Sequence, residues 1–307
     1  MSGRMNRVVL TGATGFIGRH TLSALLRAGY EVEAITRHPT RSSASGVTWH
    51  QADLLREPET LADLGGDILI HLAWYTEHGR FWRAPQNVTW RDGSLALLRA
   101  FAVAGGRRAV VAGTCAEYAW TRAVYHEGSP CRPATLYGTM KHDLLQAASE
   151  LAEETALSLA WARLFFPYGP NEDPRRFVPS VSRALLAGEL APMTSGTQVR
   201  DLMHVSDVAA ALVALAASSV TGAVNVASGE GVTLRAVAEK IAAQTGPCAT
   251  LGLAMVADRD GEPSSLVADV RRLREHVGFR TSITLGEGIE QTVDWWRRQR
   301  DASAARS

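Results

Sequence analysis

The chain has 307 residues, 46% hydrophobic and 21% charged, with Lys+Arg 32 against Asp+Glu 31 and a net charge of +1. That length buries a substantial core, in one large domain or two smaller ones, without disulfide or metal staples. A balanced charge with no block of one sign leaves no footprint for DNA or RNA, so no nucleic-acid partner is expected.

The first half alternates apolar runs with helical patterns. Met1–Arg7 is polar, without the basic-then-apolar layout of a signal peptide, and leads directly into a β-rich run, Arg7–Leu10. Gly15–Ala28 reads as a helix with Ile17, Leu22, Leu25 and Leu26 on one side. Strands follow at Val32–Thr36, Val47–Ala52 and the almost wholly apolar Asp67–Ala73. Asn87–Ala104 is a helix and Ala109–Gly113 a fifth strand. A long loop from Cys115 to Pro133 precedes a helix carrying Tyr137 and Lys141, and Leu157–Phe165 is another strand. Continuous apolar strands alternating with helices imply a parallel sheet covered on both faces, the Rossmann-type doubly wound α/β class. Beyond Phe165 the pattern loosens into proline-rich turns. Residues 1–165, with about 200–220, are read as a dinucleotide-binding domain. Residues 166–199 and 222–307 are read as a smaller, mixed α/β substrate domain, with the helix Val205–Ala217 returning to the first.

No apolar run reaches membrane-spanning length, and the three cysteines, Cys115, Cys131 and Cys248, form no Cys-x-x-Cys pair. A reduced, cytoplasmic protein with no membrane partner is expected. No His/Asp/Glu grouping has metal-ligand spacing, so no metal is expected. His71, on a core strand, reads as a satisfied structural histidine.

Thr11-Gly12-Ala13-Thr14-Gly15-Phe16-Ile17-Gly18 follows the first strand and opens the first helix, the context in which a glycine motif signals a dinucleotide. Gly12 permits the tight turn, Gly15 lets backbone N–H groups approach a pyrophosphate at the helix N-terminus, and Gly18 permits close helix–strand packing. At the end of the second strand an acid would hold the ribose 2′-hydroxyl, whereas an arginine would accommodate a 2′-phosphate. The sequence there is Ala34-Ile35-Thr36-Arg37-His38, so Arg37 favours NADP(H), with NAD(H) as the alternative.

Tyr137 and Lys141 stand at i and i+4 of one helix and share a face. A neighbouring ammonium favours phenolate and lowers the tyrosine pKa toward a useful range. Alone, Tyr-x-x-x-Lys is a weak pattern. Here it occurs in order with the glycine turn, Asp53-Leu54, His71-Leu72-Ala73, Thr114, Arg163-Leu164-Phe165-Phe166-Pro167-Tyr168-Gly169-Pro170, Arg200-Asp201-Leu202-Met203-His204-Val205-Ser206-Asp207 and Arg259-Asp260-Gly261-Glu262-Pro263. Together these resemble the extended short-chain dehydrogenase/reductase family, in particular its nucleotide-sugar epimerase/dehydratase/reductase branch, over nearly the whole chain.

The resemblance implies a hydroxyl at Thr114 bonding the reacting oxygen, Tyr137 as acid/base, and Lys141 on the nicotinamide ribose. It further implies cofactor contacts from Thr14, Phe16, Ile17, Asp53, Leu54, Leu72, Ala73 and Pro167. A nucleotide-diphosphate sugar would be gripped by Arg200 and Arg259, with Trp74 and Phe166 in the sugar pocket. A homodimer is expected. Several positions depart from the family pattern. The Asp-Glu pair with which dehydratases eliminate water is replaced by Cys115 and Ala116, and Glu117 is expected to point elsewhere. Trp74, Trp90 and Phe166 make the sugar pocket more aromatic than usual. The leading function is NADPH-dependent reduction of a nucleotide-linked 4-keto-deoxyhexose. A nucleotide-sugar 4-epimerase with tightly held NAD uses the same residues. A non-catalytic dinucleotide-binding regulator has no need of the Thr114/Tyr137/Lys141 set.

Overall fold

A computed structural model describes residues 7–38, 45–60, 64–246, 249–258 and 261–305. The first half runs β1 (Arg7–Thr11), α1 (Phe16–Arg27), β2 (Glu31–Thr36), β3 (Val47–Gln51), β4 (Ile68–His71), α2 (Gln86–Val103), β5 (Arg108–Thr114), β6 (Val124–Tyr125) and α3 (Leu136–Thr155). The second half runs β7 (Ser158–Leu164), β8 (Phe166–Tyr168), α4 (Phe177–Leu186), β9 (Ala191–Pro192), β10 (Val199–His204), α5 (Val205–Ala217), β11 (Gly222–Val226), β12 (Gly231–Thr233), α6 (Leu234–Thr245), β13 (Leu251–Gly252), β14 (Ser265–Ala268), α7 (Arg271–Glu275) and α8 (Leu285–Ala304).

The apolar runs form one seven-stranded sheet in the order β11-β7-β5-β4-β1-β2-β3, with every pairing parallel. Its side chains alternate between two cores. Val8, Leu10, Val110 and Ala160 face Leu25 of α1 and Leu212 of α5, whereas Val9, Val111 and Trp161 face Leu97 of α2 and Leu144 of α3. That arrangement is the doubly wound class read from the sequence. A second, mixed sheet runs β12-β10-β14-β6, with β8 also on β10, and a third core gathers Val181, Ile241 and Ile289 beside it.

Two boundaries differ from the sequence reading. Gly222–Val226, assigned to the smaller domain, is an edge strand of the large sheet, paired with β7. Val124–Tyr125, inside the expected loop, pairs with β14 and so belongs to the second sheet. Neither segment is long enough for periodicity to assign it, and each is placed by its partner strand.

The chain order reverses between β1 and β4, and the crevice there is held by one hydrogen-bonded relay. The Thr11 hydroxyl accepts from the backbone N–H of Leu72 (3.1 Å) and Ala73 (3.2 Å), so it donates to His71 Nδ1 at 2.7 Å. The other imidazole nitrogen, at 2.9 Å from Ser94 Oγ on α2, then carries the ring proton. Gly12 follows with φ 71°, and a Cβ on it would stand 2.8 Å from the Ala73 nitrogen. A Cβ on Gly18 would overlap the Gly12 carbonyl, so both glycines are required by close approach.

Burial holds His71 neutral, its pKa pushed down from 6.5 to about 3, and the Lys141 charge adds to the shift. The unfolded chain takes up this proton below its ordinary value near 6.5, while the folded chain does so only near 3. Stability is therefore complete above about 6.5 and declines as pH falls, by at most about 1.4 kcal/mol per pH unit from this residue. Urea denaturation at pH 7 and pH 5 should show that decline, and it should be smaller in His71→Gln. Equal slopes in the two proteins would contradict the assignment.

Candidate active site

A cavity of about 390 Å³ lies at the β1/β4 crevice, against the N-terminus of α1. Gly12, Thr14, Gly15, Phe16, Ile17 and Gly18 line one wall, and Arg37, Leu54, Leu72, Ala73, Trp74 and Pro167 line the rest. These residues fit a dinucleotide: bare backbone at a helix N-terminus for phosphates, and apolar Ile35, Ala52 and Leu54 for a flat base. Arg37 is exposed, at the end of β2 where Thr36 stands in place of an acid. Asp53 does not line the cavity. Its carboxylate accepts from the Leu55 N–H and pairs with Arg56.

Thr114, Tyr137 and Lys141 gather at the end of β5, behind the cavity wall and not among its lining residues, in contact with Ala112 and Trp74, which do line it. Thr114 opens a capped turn, Cys115–Glu117, in which its hydroxyl accepts from Ala116 N–H at 3.2 Å. Thr135 caps α3, its hydroxyl accepting from the Gly138 N–H. A Cβ on Gly138 would overlap the Ala116 carbonyl oxygen, so glycine there lets α3 dock on the turn and brings Tyr137 beside Thr114. Burial pushes the Tyr137 phenol up to about 12, opposed by a hydrogen bond with Thr114. This is the reverse of the direction expected from Tyr-x-x-x-Lys alone. Desolvation outweighs the Arg176 charge, so the phenol is held protonated. Lys141, 3% exposed, is pushed down to about 7 by the same burial, with Glu117 pulling the other way. Its ammonium donates to Ala112 O at 2.7 Å and stands 3.7 Å from the centre of the Trp74 ring.

Glu117 points into the core, but through the bend of the capped turn and not through the alternation of an extended segment. One carboxylate oxygen accepts from Thr114 N–H and Trp161 Nε1, each at 2.8 Å, and the other from Arg163 Nε at 2.8 Å. Cys115 is buried and its thiol is pushed up to about 12, so it is not a nucleophile. The positions after Thr114 therefore present no free carboxylate to the cavity.

On the substrate side, Arg200 is 4% exposed and already engaged. It donates to Glu262 at 2.6 Å and to the Val199 and Pro263 carbonyls, and it stacks over Phe166 at 5.5 Å. Arg259 lies outside the described residues. Trp74 and Trp90 both line the cavity with ring centres 6.3 Å apart. Among lining residues the sequence did not single out are Thr76, Asp173 and Arg176. Arg176, which caps α4 and lies over Phe81, acts on Tyr137 electrostatically. Its only sequence signal was the proline-rich loop it sits in. Among the described residues, no group of three or more His, Cys, Asp or Glu converges on a metal position, and no helix is long and apolar enough to cross a membrane.

Comparison with known proteins agrees with this geometry. Residues 8–227 match the family described as "Epimerase: NAD dependent epimerase/dehydratase family". A dTDP-6-deoxy-L-talose 4-dehydrogenase (NAD(+)) from Aggregatibacter actinomycetemcomitans is 29% identical over 248 residues, 77% of this chain and 90% of that protein. A UDP-glucose 4-epimerase from Neisseria meningitidis serogroup C is 27% identical, over 95% of this chain and 97% of that one. A solved structure of MoeE5 in complex with UDP-glucuronic acid and NAD superposes with a TM-score of 0.84 at 31% identity, over 96% of this chain and all (100%) of the other.

The Glu117–Arg163 pair is closed to water, with side chains 0% and 3% exposed. Removing one partner strands the other's charge, so Glu117→Leu should lower the unfolding free energy by about 3–5 kcal/mol. Glu117→Leu combined with Arg163→Met should recover much of that loss in urea denaturation. A single variant as stable as the parent would show that the pair does not hold the turn.

Proposed function

The chain belongs to the NAD dependent epimerase/dehydratase family, and from that premise we propose that it reduces the C4 carbonyl of a nucleotide-linked deoxyhexose with Tyr137 as proton donor. The observation that carries this reading is the placement of Tyr137, brought beside Thr114 by the docking of Gly138 on the capped turn and enclosed by the Trp74, Phe81 and Trp82 rings, where desolvation favours the neutral phenol. A protonated phenol is a donor, the form needed in the reducing direction. The dinucleotide, when bound, supplies the hydride. The chain's own residues manage the oxygen: Thr114 orients it by a hydrogen bond, Tyr137 delivers the proton to it, and the Lys141 ammonium stabilises the resulting phenolate until it is reprotonated from solvent. The relative named as a 4-dehydrogenase of a dTDP-6-deoxysugar supports both the position and the sugar class.

Arg37 at the cavity wall supports NADP(H), whereas the names of the relatives carry NAD. The diphosphate is assigned to Arg200 with Arg259. Anchoring there requires Glu262 to yield its place on Arg200. The UDP-glucose 4-epimerase relative favours a second reading, 4-epimerisation with retained NAD by the same side chains. The two differ in what the purified protein carries. Heating an epimerase releases bound NAD, while a reductase consumes added NADPH.

The test is a panel of UDP- and dTDP-linked 4-keto-6-deoxyhexoses with NADPH and NADH, followed by loss of the reduced nicotinamide absorbance. Turnover should be faster with NADPH, and Arg37→Ala should narrow the difference. Tyr137→Phe should lower turnover by ~10²–10⁴-fold with cofactor affinity retained. Full activity in the Phe variant removes Tyr137 from the chemistry. A clear NADH preference in the parent removes Arg37 from cofactor choice.

A further inference from the structure

Trp74 does more than line the cavity. Its indole N–H donates to Asn87 Oδ1 at 2.8 Å. Asn87 is fully buried, and its amide nitrogen donates to the Phe81 carbonyl at 2.7 Å and the Ala84 carbonyl at 2.9 Å. These three bonds leave the asparagine one orientation and fix the plane of the indole. The ring face so presented lies 3.7 Å from the Lys141 ammonium, and its edge meets the Tyr137 ring at 6.5 Å and 76°. The segment from Phe81 to Ala84 is itself tied to the catalytic helix, because Tyr137 N–H donates to the Trp82 carbonyl.

A buried ammonium with one hydrogen-bond acceptor among the described residues, Ala112 O, needs further stabilisation or it loses its proton. The titratable groups that act on it are His71 from β4, held neutral, and Glu117 from the turn after β5. Glu117 is already bonded to Arg163, Trp161 and Thr114, so the indole face is the one contact able to follow the ammonium itself. A desolvated cation over tryptophan is the strongest form of this interaction.

We propose that Trp74, oriented by Asn87, is a positioning residue that clamps the Lys141 ammonium against Ala112 O and keeps it charged for its work beside Tyr137. The role rests on the reading of Lys141 given above. A second lysine is scarce in this chain. Of the 32 Lys+Arg residues only Lys141 and Lys240 are lysines, and Lys240 is exposed on α6. Labelling lysine Cε with ¹³C therefore yields two signals, one of them an internal reference, and needs no cofactor or substrate.

In the parent, the Lys141 methylene should be shifted upfield of Lys240 by the indole ring current. Trp74→Leu keeps the apolar cover and removes the ring, so the shift should vanish and the Lys141 titration midpoint should fall by roughly one pH unit. Trp74→Phe should retain part of both effects, and Asn87→Leu, which frees the indole without deleting it, should weaken the shift. If Trp74→Leu does not fold, these two variants carry the test. In turnover assays the clamp predicts a loss of kcat of about tenfold in Trp74→Leu at neutral pH with little change in KM for the sugar. An unshifted Lys141 signal in the parent overturns the proposal. So does a Trp74→Leu protein with the parent's Lys141 titration and only a raised KM, which would make Trp74 a wall of the sugar pocket. Because the spectra are taken on the protein alone, they stand or fall separately from the choice of sugar substrate.

Discussion

Everything in the cleft depends on how closely the turn after β1 approaches the end of β4. The hydroxyl of Thr11 holds the Leu72 and Ala73 N–H groups, and Gly12 at φ 71° leaves no space for a side chain between the two segments. In a doubly wound sheet this is where crossovers diverge to opposite faces and a crevice must open. Because the walls meet without side chains, the glycine turn itself lines the cavity at the N-terminus of α1. The same relay continues through His71 to Ser94, so α2, which carries Asn87 and Trp90, is registered to the strand ends.

The second constraint is desolvation. Of three ionisable groups at the reactive end, Lys141 and Glu117 are shut away from water and Tyr137 is half-buried, and they respond differently because their partners differ. Glu117 receives three donors including Arg163, so its charge is fully bonded. Tyr137 has one hydroxyl partner and remains a neutral acid. Lys141 has a carbonyl and an aromatic face, and it sits near the boundary between its two forms at neutral pH. A chemistry that delivers a proton and then needs a cation beside the new phenolate is served by this ordering.

Much of this was legible in the sequence where the cause is local. The glycine spacing, the alternation of strands with helices and the role of His71 follow from sterics and burial patterns that a short window carries. What escaped was set by distant partners. Arg200 reads as a free diphosphate ligand until Glu262, 62 residues away, is seen bonded to it. The Tyr137 shift was expected downward from Lys141 four residues on, but burial by Phe81, Trp82 and Trp74 from another segment reverses it. Glu117 faces the core because Trp161 and Arg163 of β7 await it there, and β11 joins the large sheet because β7 offers an edge. Arg259, central to the family resemblance, lies outside the described residues and stays a matter of sequence.

The central claim, a reduction at C4 completed by Tyr137, is tested most directly by isotope transfer. The protein is incubated with a nucleotide-linked 4-keto-6-deoxyhexose and NADPH carrying deuterium at the transferable position of the nicotinamide, and the product is examined by NMR. The account predicts one deuterium, bonded to C4 of the sugar, and its near disappearance in Tyr137→Phe over the same time. Product without deuterium at C4, or label delivered equally fast by the Phe variant, would contradict it.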